Sequence, residues 1–333
     1  MAFEKFIEKR FQQKTLDVIK HAQEITEDYK RRGFVLTLRQ LYYQFVSRDL
    51  LPNQHSEYKR LGSIIDDARQ AGMLDWSTIE DRTRNVEKPN VWSSPESILK
   101  AVAEQYQENP WLNQECRPEV WIEKDALVGV IEGVCAEYRV PYFACRGYAS
   151  QSEIYEAGKR FQQVRRAGFK PVVFYLGDHD PSGIHMPIDV ASRLELFSRG
   201  DVEVVRIALN RDQIDEYDPP PNPAKETDSR FEGYAAEHGD ESWELDALDP
   251  DVINDLIKAA LESRIDHTEW DRDIAAEEDN QKGLQGVHDH FDGVKKYLKH
   301  WHNHLDLNDY VELSDSGEIA DLEDLVNEID NRD

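Results

Sequence analysis

The most informative segment of the chain is residues 170–183, KPVVFYLGDHDPSG. Its first part, residues 170–176, is a nearly continuous apolar run, which is typical of a central parallel strand buried on both faces. Asp178 and Asp180 follow this run directly and lie between two glycines, which let the backbone approach a ligand closely. Because open parallel sheets bind ligands beyond the carboxyl ends of their strands, we predict a functional site at this point.

Strands and helices alternate on both sides of this segment. This order predicts an α/β fold built on an open, parallel, Rossmann-like sheet. The apolar patterns predict strands at 120–122, 140–144 and 202–209, and helices at 126–138, 152–167 and 184–198.

A third carboxylate, Glu123, follows the strand predicted at 120–122. If both strands are central, Glu123, Asp178 and Asp180 meet at one edge of the sheet. A ligand set made only of oxygen atoms suits Mg²⁺, with Mn²⁺ as a possible substitute. A lone Asp-x-Asp is more often a solvated turn, but its combination with a glutamate after another strand is more specific. Without a cation these carboxylates would repel one another.

Three segments resemble the Toprim domain, which topoisomerases, bacterial primases and several nucleases share. They are WIEKD at 121–125, RGYAS at 146–150 and LGDHDPSG at 176–183. The resemblance implies that Glu123 is an acid–base or metal-linked carboxylate. It also implies that Asp178 and Asp180 hold Mg²⁺.

The N-terminal region has the pattern of a helical domain. Amphipathic spacing predicts helices at 3–32, 38–48 and 57–71, the second of them capped by Thr37. The segment at 76–84 then has the features of the turn and wing of a winged-helix unit, a DNA-docking module. On pattern alone, an ordinary helical bundle is the simpler interpretation.

A tyrosine pair narrows the resemblance. TLRQLYYQF at 37–45 resembles the RxxYY motif in the winged-helix domain of the topoisomerase VI A subunit and its meiotic double-strand-break relative. Segments 222–230 and 243–248 also resemble parts of such proteins. The resemblance implies that Tyr43 attacks the DNA backbone. Arg39 precedes it by one helical turn, so it can lower the pKa of the phenol or bind the scissile phosphate. Without the resemblance, a tyrosine cluster in a short helix indicates core packing.

The resemblance also implies partners. In the topoisomerase relatives the tyrosine of one protomer works with the metal of the other, so a homodimer and a DNA substrate are expected. The sequence contains no GxxxxGK[ST] motif, so a complete topoisomerase cycle would need a separate ATPase subunit. Basic side chains are candidates for nucleic-acid contacts; they are Lys59, Arg60, Arg82, Arg84 and Arg146.

The acidic net charge of the chain argues against nucleic-acid binding, but the charge is unevenly distributed. The net charge is −27, yet residues 1–90 carry 16 Lys and Arg against 14 Asp and Glu. The other 243 residues carry 24 against 53. Either a local basic groove exists within an acidic protein, or nucleic acid is not the partner. An adaptation to a salty cytoplasm would produce the same excess.

Other features indicate a folded cytoplasmic protein. The chain has no run of about 18 apolar residues, so we expect no membrane span. Its N-terminus lacks the apolar core of a signal peptide. The three cysteines form no CxxC pair, which favours incidental buried thiols over a disulfide framework.

The domain organisation and function then follow as hypotheses. We expect five segments: a helical, winged-helix-like domain at 1–88, a connector at 89–118, a Toprim domain at 119–210, its loop-rich and helical extension at 211–305, and an acidic tail at 306–333. The first functional hypothesis is Mg²⁺-dependent DNA strand cleavage through a phosphotyrosine at Tyr43. The alternatives are a Toprim nuclease that hydrolyses DNA or RNA without a covalent intermediate, and a non-catalytic, DNA-binding regulatory subunit.

Overall fold

A computed structural model describes residues 3–79, 89 and 91–304 of the chain, with side chains up to residue 298. The chain divides into two compact units. The first combines Met1–Glu87 with Trp111–His267, and the second combines Lys88–Pro110 with Thr268–Asp333. The first unit therefore holds both the N-terminal helices and the parallel sheet, which the sequence pattern assigns to separate domains.

Three helices form the N-terminal part of the first unit: α1 (Gln13–Arg31), α2 (Leu38–Ser47) and α3 (His55–Gln70). The predicted cap of α2 is confirmed, because the Thr37 side chain accepts a hydrogen bond from Gln40 N in a capping box. The helix predicted over 3–32 is wrong in its first ten residues. That segment is not helical, and the backbone N–H groups of Phe6 and Ile7 donate to Gln70 O instead.

An apolar core holds these helices together, and its largest members include Tyr29, Leu41 and Phe45, each 1% exposed or less. After α3 the chain forms a short 3₁₀ turn at Trp76–Thr78. Leu36 and Ile79 then form an isolated parallel bridge. Most of the predicted wing, together with Arg82 and Arg84, lies outside the described residues, so the winged-helix assignment stays a prediction.

The parallel α/β sheet is confirmed. In the described part of the chain it has four strands: β1 (Cys116–Ile122), β2 (Tyr142–Ala144), β3 (Lys170–Leu176) and β4 (Glu203–Ala208). Their order is β2-β1-β3-β4, and every pairing is parallel. The strand β3 has the predicted bounds and is buried from Pro171 to Leu176, as expected for a strand covered on both faces.

Helices cross between the strands: α5 (Val128–Glu137), α6 (Gln151–Arg166) and α7 (Pro181–Ser198). The helices α6 and α7 pack closely, because Gly158 brings the α6 backbone against Phe197. Trp121, Phe161 and Tyr175 are the largest buried residues of the core on this side of the sheet. The three free cysteines of the described residues are buried, as expected.

An extension follows β4 in the first unit. It contains α8 (Arg211–Tyr217), β5 (Asn222–Pro223), α9 (Phe231–His238), β6 (Glu241–Ser242) and α10 (Pro250–Glu262). The strands β5 and β6 form a small antiparallel sheet. His179 and Trp243 form an antiparallel bridge just beyond β6. This bridge places residues 244–246 beside the loop that follows β3.

The second unit contains α4 (Pro95–Gln105), most of α11 (His267–Asp289) and α12 (Phe291–His304). Glu277 is buried and accepts a hydrogen bond from Glu108 N at 2.5 Å. Lys295 of α12 pairs with Glu96 of α4 at 2.9 Å. The predicted acidic tail at 306–333 lies outside the described residues. Across the described ranges, none of the helices combines the length and apolar character that a membrane crossing requires.

Candidate active site

The register of the sheet brings the predicted carboxylates to one edge. Ile122 at the end of β1 pairs with Leu176 at the end of β3, so Glu123 and the loop at 177–180 emerge side by side. Glu123 Oε2 accepts a hydrogen bond from Asp178 N at 2.9 Å. The Glu123 carboxylate, which follows β1, is therefore held by the backbone that follows the neighbouring strand β3.

The two aspartates are anchored in the same way, each by a backbone amide. Asp178 Oδ1 accepts from Leu245 N at 2.7 Å, in the segment beyond β6. Asp180 caps α7, since its Oδ1 accepts from Gly183 N at 2.6 Å. One oxygen of each of the three carboxylates is thus held in place by the main chain.

The turn between β3 and α7 is tight, and its glycines are required by close contacts. A Cβ atom on Gly183 would lie 2.2 Å from Asp178 O, well inside van der Waals contact. A Cβ atom on Gly177 would lie 2.8 Å from Glu123 Oε2. Larger residues at either position would displace the aspartate loop or the glutamate.

A buried arginine that the sequence analysis missed braces this loop. Arg206 of β4 donates to the carbonyl oxygens of Gly177, Asp178 and Gly183 at 3.1, 2.7 and 2.8 Å. Burial lowers the pKa of the Arg206 guanidinium. A charged residue inside the apolar strand at 203–208 was the signal that could have identified it.

The surroundings of Glu123 and Asp178 disfavour the ionised forms of these two carboxyl groups. Burial raises the pKa of Glu123, and repulsion from Asp180 adds to the effect. Burial also raises the pKa of Asp178, with a further contribution from Glu123, while Lys124 acts in the opposite direction. Desolvation and like charges both disfavour the ionised forms, and a bound cation would relieve them.

The donor chemistry fits a hard cation, but the three side chains are not arranged around a common point. Among the described residues, no group of three or more His, Cys, Asp or Glu side chains is placed to hold a metal ion. Nevertheless, the second oxygens of Glu123, Asp178 and Asp180 accept no hydrogen bond from the described part of the chain. Those three oxygens are the ones that Mg²⁺ could use, and the metal site stays a prediction.

A second acidic pair lies beside the first group and was not singled out from the sequence. Lys124 Nζ lies 3.0 Å from Asp178 Oδ1, 2.7 Å from Glu244 Oε2 and 3.5 Å from Asp246 Oδ2. Arg39 of α2 pairs with both Glu244 and Asp246, and its Nε is 2.8 Å from Asp246 Oδ2. These contacts form a continuous network of charged side chains from α2 to the aspartate loop.

Tyr43 lies at the α2 end of this network. It is 4% exposed and lies on the wall of a cavity of about 180 Å³. Tyr43 Oη accepts a hydrogen bond from Asn222 Nδ2 at 3.4 Å. The other residues that line the cavity are Arg39, Tyr42, Asn53, His55, Tyr58, Asn222 and Glu244.

The surroundings of Tyr43 favour the neutral phenol. Burial raises its pKa to about 12, and the Glu244 carboxylate adds to this shift. Arg39 and Lys124 lower the pKa, as expected for Arg39, but they do not outweigh burial. Both cations are also paired with Glu244 and Asp246.

The neighbouring tyrosine has a structural role. Tyr42 Oη accepts a hydrogen bond from Gln54 N at 2.7 Å and lies 3.1 Å from Pro52 O. Its phenol therefore fixes the turn between α2 and α3.

The predicted basic contacts are scattered. Lys59 is exposed, and Arg60 donates to Glu57 on the same helix at 2.8 Å. Arg146 adopts a left-handed backbone conformation after β2 and donates to Asp125 at 3.2 Å. Arg82 and Arg84 lie outside the described residues.

A partly exposed group of side chains lies near the first turn of α7. Tyr148 Oη and His185 Nδ1 are 3.2 Å apart, and the Arg230 guanidinium lies 5.4 Å from the centre of the Tyr148 ring. A cation and an imidazole therefore lie near the Asp180 end of the site.

Comparison with known proteins identified no matching family model and no matching curated protein. The Toprim and topoisomerase VI resemblance therefore rests on the sequence motifs alone.

Proposed function

We propose that the protein cleaves DNA phosphodiester bonds in a Mg²⁺-dependent reaction, with Tyr43 as the nucleophile. The observation that carries the proposal is the network from the Tyr43 cavity through Arg39, Glu244 and Lys124 to Asp178. It joins the motif tyrosine to the motif carboxylates within one compact unit. The network lies within one chain, whereas the resemblance implies that the tyrosine of one protomer works with the metal of its partner.

Glu123, Asp178 and Asp180 would hold the metal through the oxygens that accept no hydrogen bond. Mg²⁺ bound there would neutralise charge on a phosphate and stabilise the leaving oxygen. Tyr43 Oη would form a bond to phosphorus as the bond to the deoxyribose oxygen breaks. With the phenol proton passing, directly or through water, to the departing oxygen, the products would be a phosphotyrosine and a free DNA hydroxyl, and the ester bond would stay available for resealing.

The low exposure of Tyr43 and its pKa of about 12 favour a second candidate function. In that alternative, the carboxylates support hydrolysis of DNA or RNA by water, and no covalent link forms. Tyr43 would then be a packing residue of the cavity wall.

A trapping experiment separates the two functions. The full chain is incubated with end-labelled DNA and Mg²⁺ or Mn²⁺, denatured, and resolved on a gel. We expect a labelled protein adduct that Tyr43→Phe abolishes and that Tyr58→Phe retains, because Tyr58 lines the same cavity.

The other outcomes are equally informative. Cleavage that persists in Tyr43→Phe without an adduct supports hydrolysis. Absence of cleavage by the unmodified protein, with and without an added ATPase subunit, contradicts both reactions and leaves a DNA-binding regulatory role. The proposed homodimer is tested separately by sedimentation of the full chain with and without DNA.

A further inference from the structure

Lys124 lies among carboxylates that come from two separate segments. Its ammonium is within 3.0 Å of Asp178, within 2.7 Å of Glu244 and 3.5 Å from Asp246. The Lys124 side chain is 18% exposed, and that of Asp246 is 2% exposed. At this degree of burial, solvent screens the charges far less than at the surface.

Lys124 contacts both acidic groups of the site, namely Asp178 of the aspartate loop and the pair formed by Glu244 and Asp246. Arg39 pairs with Glu244 and Asp246, whereas Lys124 contacts those two residues and Asp178 as well. Moreover, Lys124 contacts Asp178 Oδ1, the oxygen that already accepts from Leu245 N. Among the described residues, this ammonium is therefore the side-chain cation that forms an ion pair with Asp178.

We infer that Lys124 is a built-in counter-cation whose charge opposes the binding of a divalent metal at Asp178, since the ammonium contacts Oδ1 and the metal would use Oδ2. The inference rests on the proposed metal site. When the metal binds, the ammonium keeps its contacts with Glu244 and Asp246, which are already within 2.7 and 3.5 Å. Lys124 is thus a positioning residue that sets the metal affinity of the site.

Removing the charge of Lys124 has a predictable effect. In Lys124→Met, Glu244 and Asp246 keep Arg39 as their partner, while Asp178 loses its ammonium. Electrostatic repulsion between the entering cation and the Lys124 ammonium is then absent. Divalent metal binds at least about tenfold more tightly as a result.

The test measures Mn²⁺ binding to the full chain by electron paramagnetic resonance. The buffer contains excess K⁺, because K⁺ suppresses loose binding of Mn²⁺ to the acidic surface. The specific site is defined as the binding that Asp178→Asn removes, a substitution that keeps the acceptor for Leu245 N. Lys124→Met is expected to bind about tenfold more tightly than the unmodified protein. Lys124→Arg, which keeps the charge, and Lys170→Met, which removes an exposed lysine paired with Glu115, are expected to match the unmodified protein.

Each other outcome has a defined meaning. If the unmodified protein binds Mn²⁺ at this site and Lys124→Met binds no more tightly, the inference is overturned while the metal site survives. If neither protein binds Mn²⁺, the proposed metal site falls and the inference falls with it. Circular dichroism checks folding; if Lys124→Met and Lys124→Gln both fail to fold, Lys124 is a structural residue and the inference is overturned.

Discussion

Arg39 Nε lies 2.8 Å from Asp246 Oδ2, and this contact joins helix α2 to the segment beyond β6. The same segment supplies Leu245 N to Asp178, so a single short stretch contacts both the tyrosine helix and the aspartate loop. Tyr29 of α1 reinforces the junction by donating to Asp249 at 2.6 Å. The N-terminal helices are therefore joined by polar contacts to the segment at 244–249, which in turn contacts the aspartate loop.

Arg39→Met should destabilise the first unit because, among the described residues, it leaves the buried Asp246 with the more distant Lys124 as its one cationic partner. Since the Arg39 side chain is 44% exposed, we expect a loss of about 1–3 kcal/mol in the free energy of unfolding, measured with urea. The control is Arg31→Met, whose side chain is 77% exposed and which should cost less than about 0.5 kcal/mol. Adding Asp246→Asn should recover part of the loss, and equal effects of the two arginine variants would contradict the role of Arg39.

The pH dependence of stability should report the environment of Tyr43. Its pKa is raised from 10.0 to about 12 in the folded protein, so folding favours the protonated phenol. This contribution is complete below pH 10 and is lost as the pH rises through 12. The free energy of unfolding should therefore fall more steeply over this range than in Tyr43→Phe, by about 2 kcal/mol. Other buried tyrosines are present in both proteins and cancel. Parallel curves would show that Tyr43 titrates as it does in the unfolded chain.

Local patterns predicted much of the fold. The apolar run at 170–176 gave the bounds of β3, and Thr37 gave the start of α2, because each signal depends on near neighbours in sequence. The pattern at 3–12 misled because its apolar residues have helical spacing, yet the backbone there pairs with residues 70 and 71. A contact between residues more than sixty positions apart leaves no periodic signal.

The site shows the same limit. Glu123, Asp178 and Asp180 could be predicted because each follows a strand of a parallel sheet. Glu244 and Asp246 could not, since they reach the site through a bridge between His179 and Trp243 that depends on the tertiary fold. In the sequence, the segment at 243–248 is indicated only by its resemblance to topoisomerase VI A-like proteins.

Gly183→Ala should disrupt the aspartate loop. The new Cβ atom would meet Asp178 O at 2.2 Å, and a backbone atom cannot move aside cheaply. We expect a loss of about 2–3 kcal/mol in unfolding free energy, together with loss of metal-dependent cleavage. The control is Gly133→Ala in α5, where no heavy atom lies within 4 Å and the helix should gain about 0.5–1 kcal/mol. If Gly183→Ala is as stable as that control, the turn does not pack as closely around Gly183 as the structure indicates.

Substitutions of Asp180 should separate its capping role from its proposed role at the metal. Asp180 Oδ1 accepts from Gly183 N, and an asparagine can supply the same acceptor. Without metal, Asp180→Asn should stay within about 0.5 kcal/mol of the unmodified protein, whereas Asp180→Ala should lose about 1 kcal/mol. Both variants should lose the rise in melting temperature that Mg²⁺ produces by binding the folded state, as measured by calorimetry. If Asp180→Asn responds to Mg²⁺ as the unmodified protein does, Asp180 is only a helix cap. The metal would then have to depend on Glu123 and Asp178.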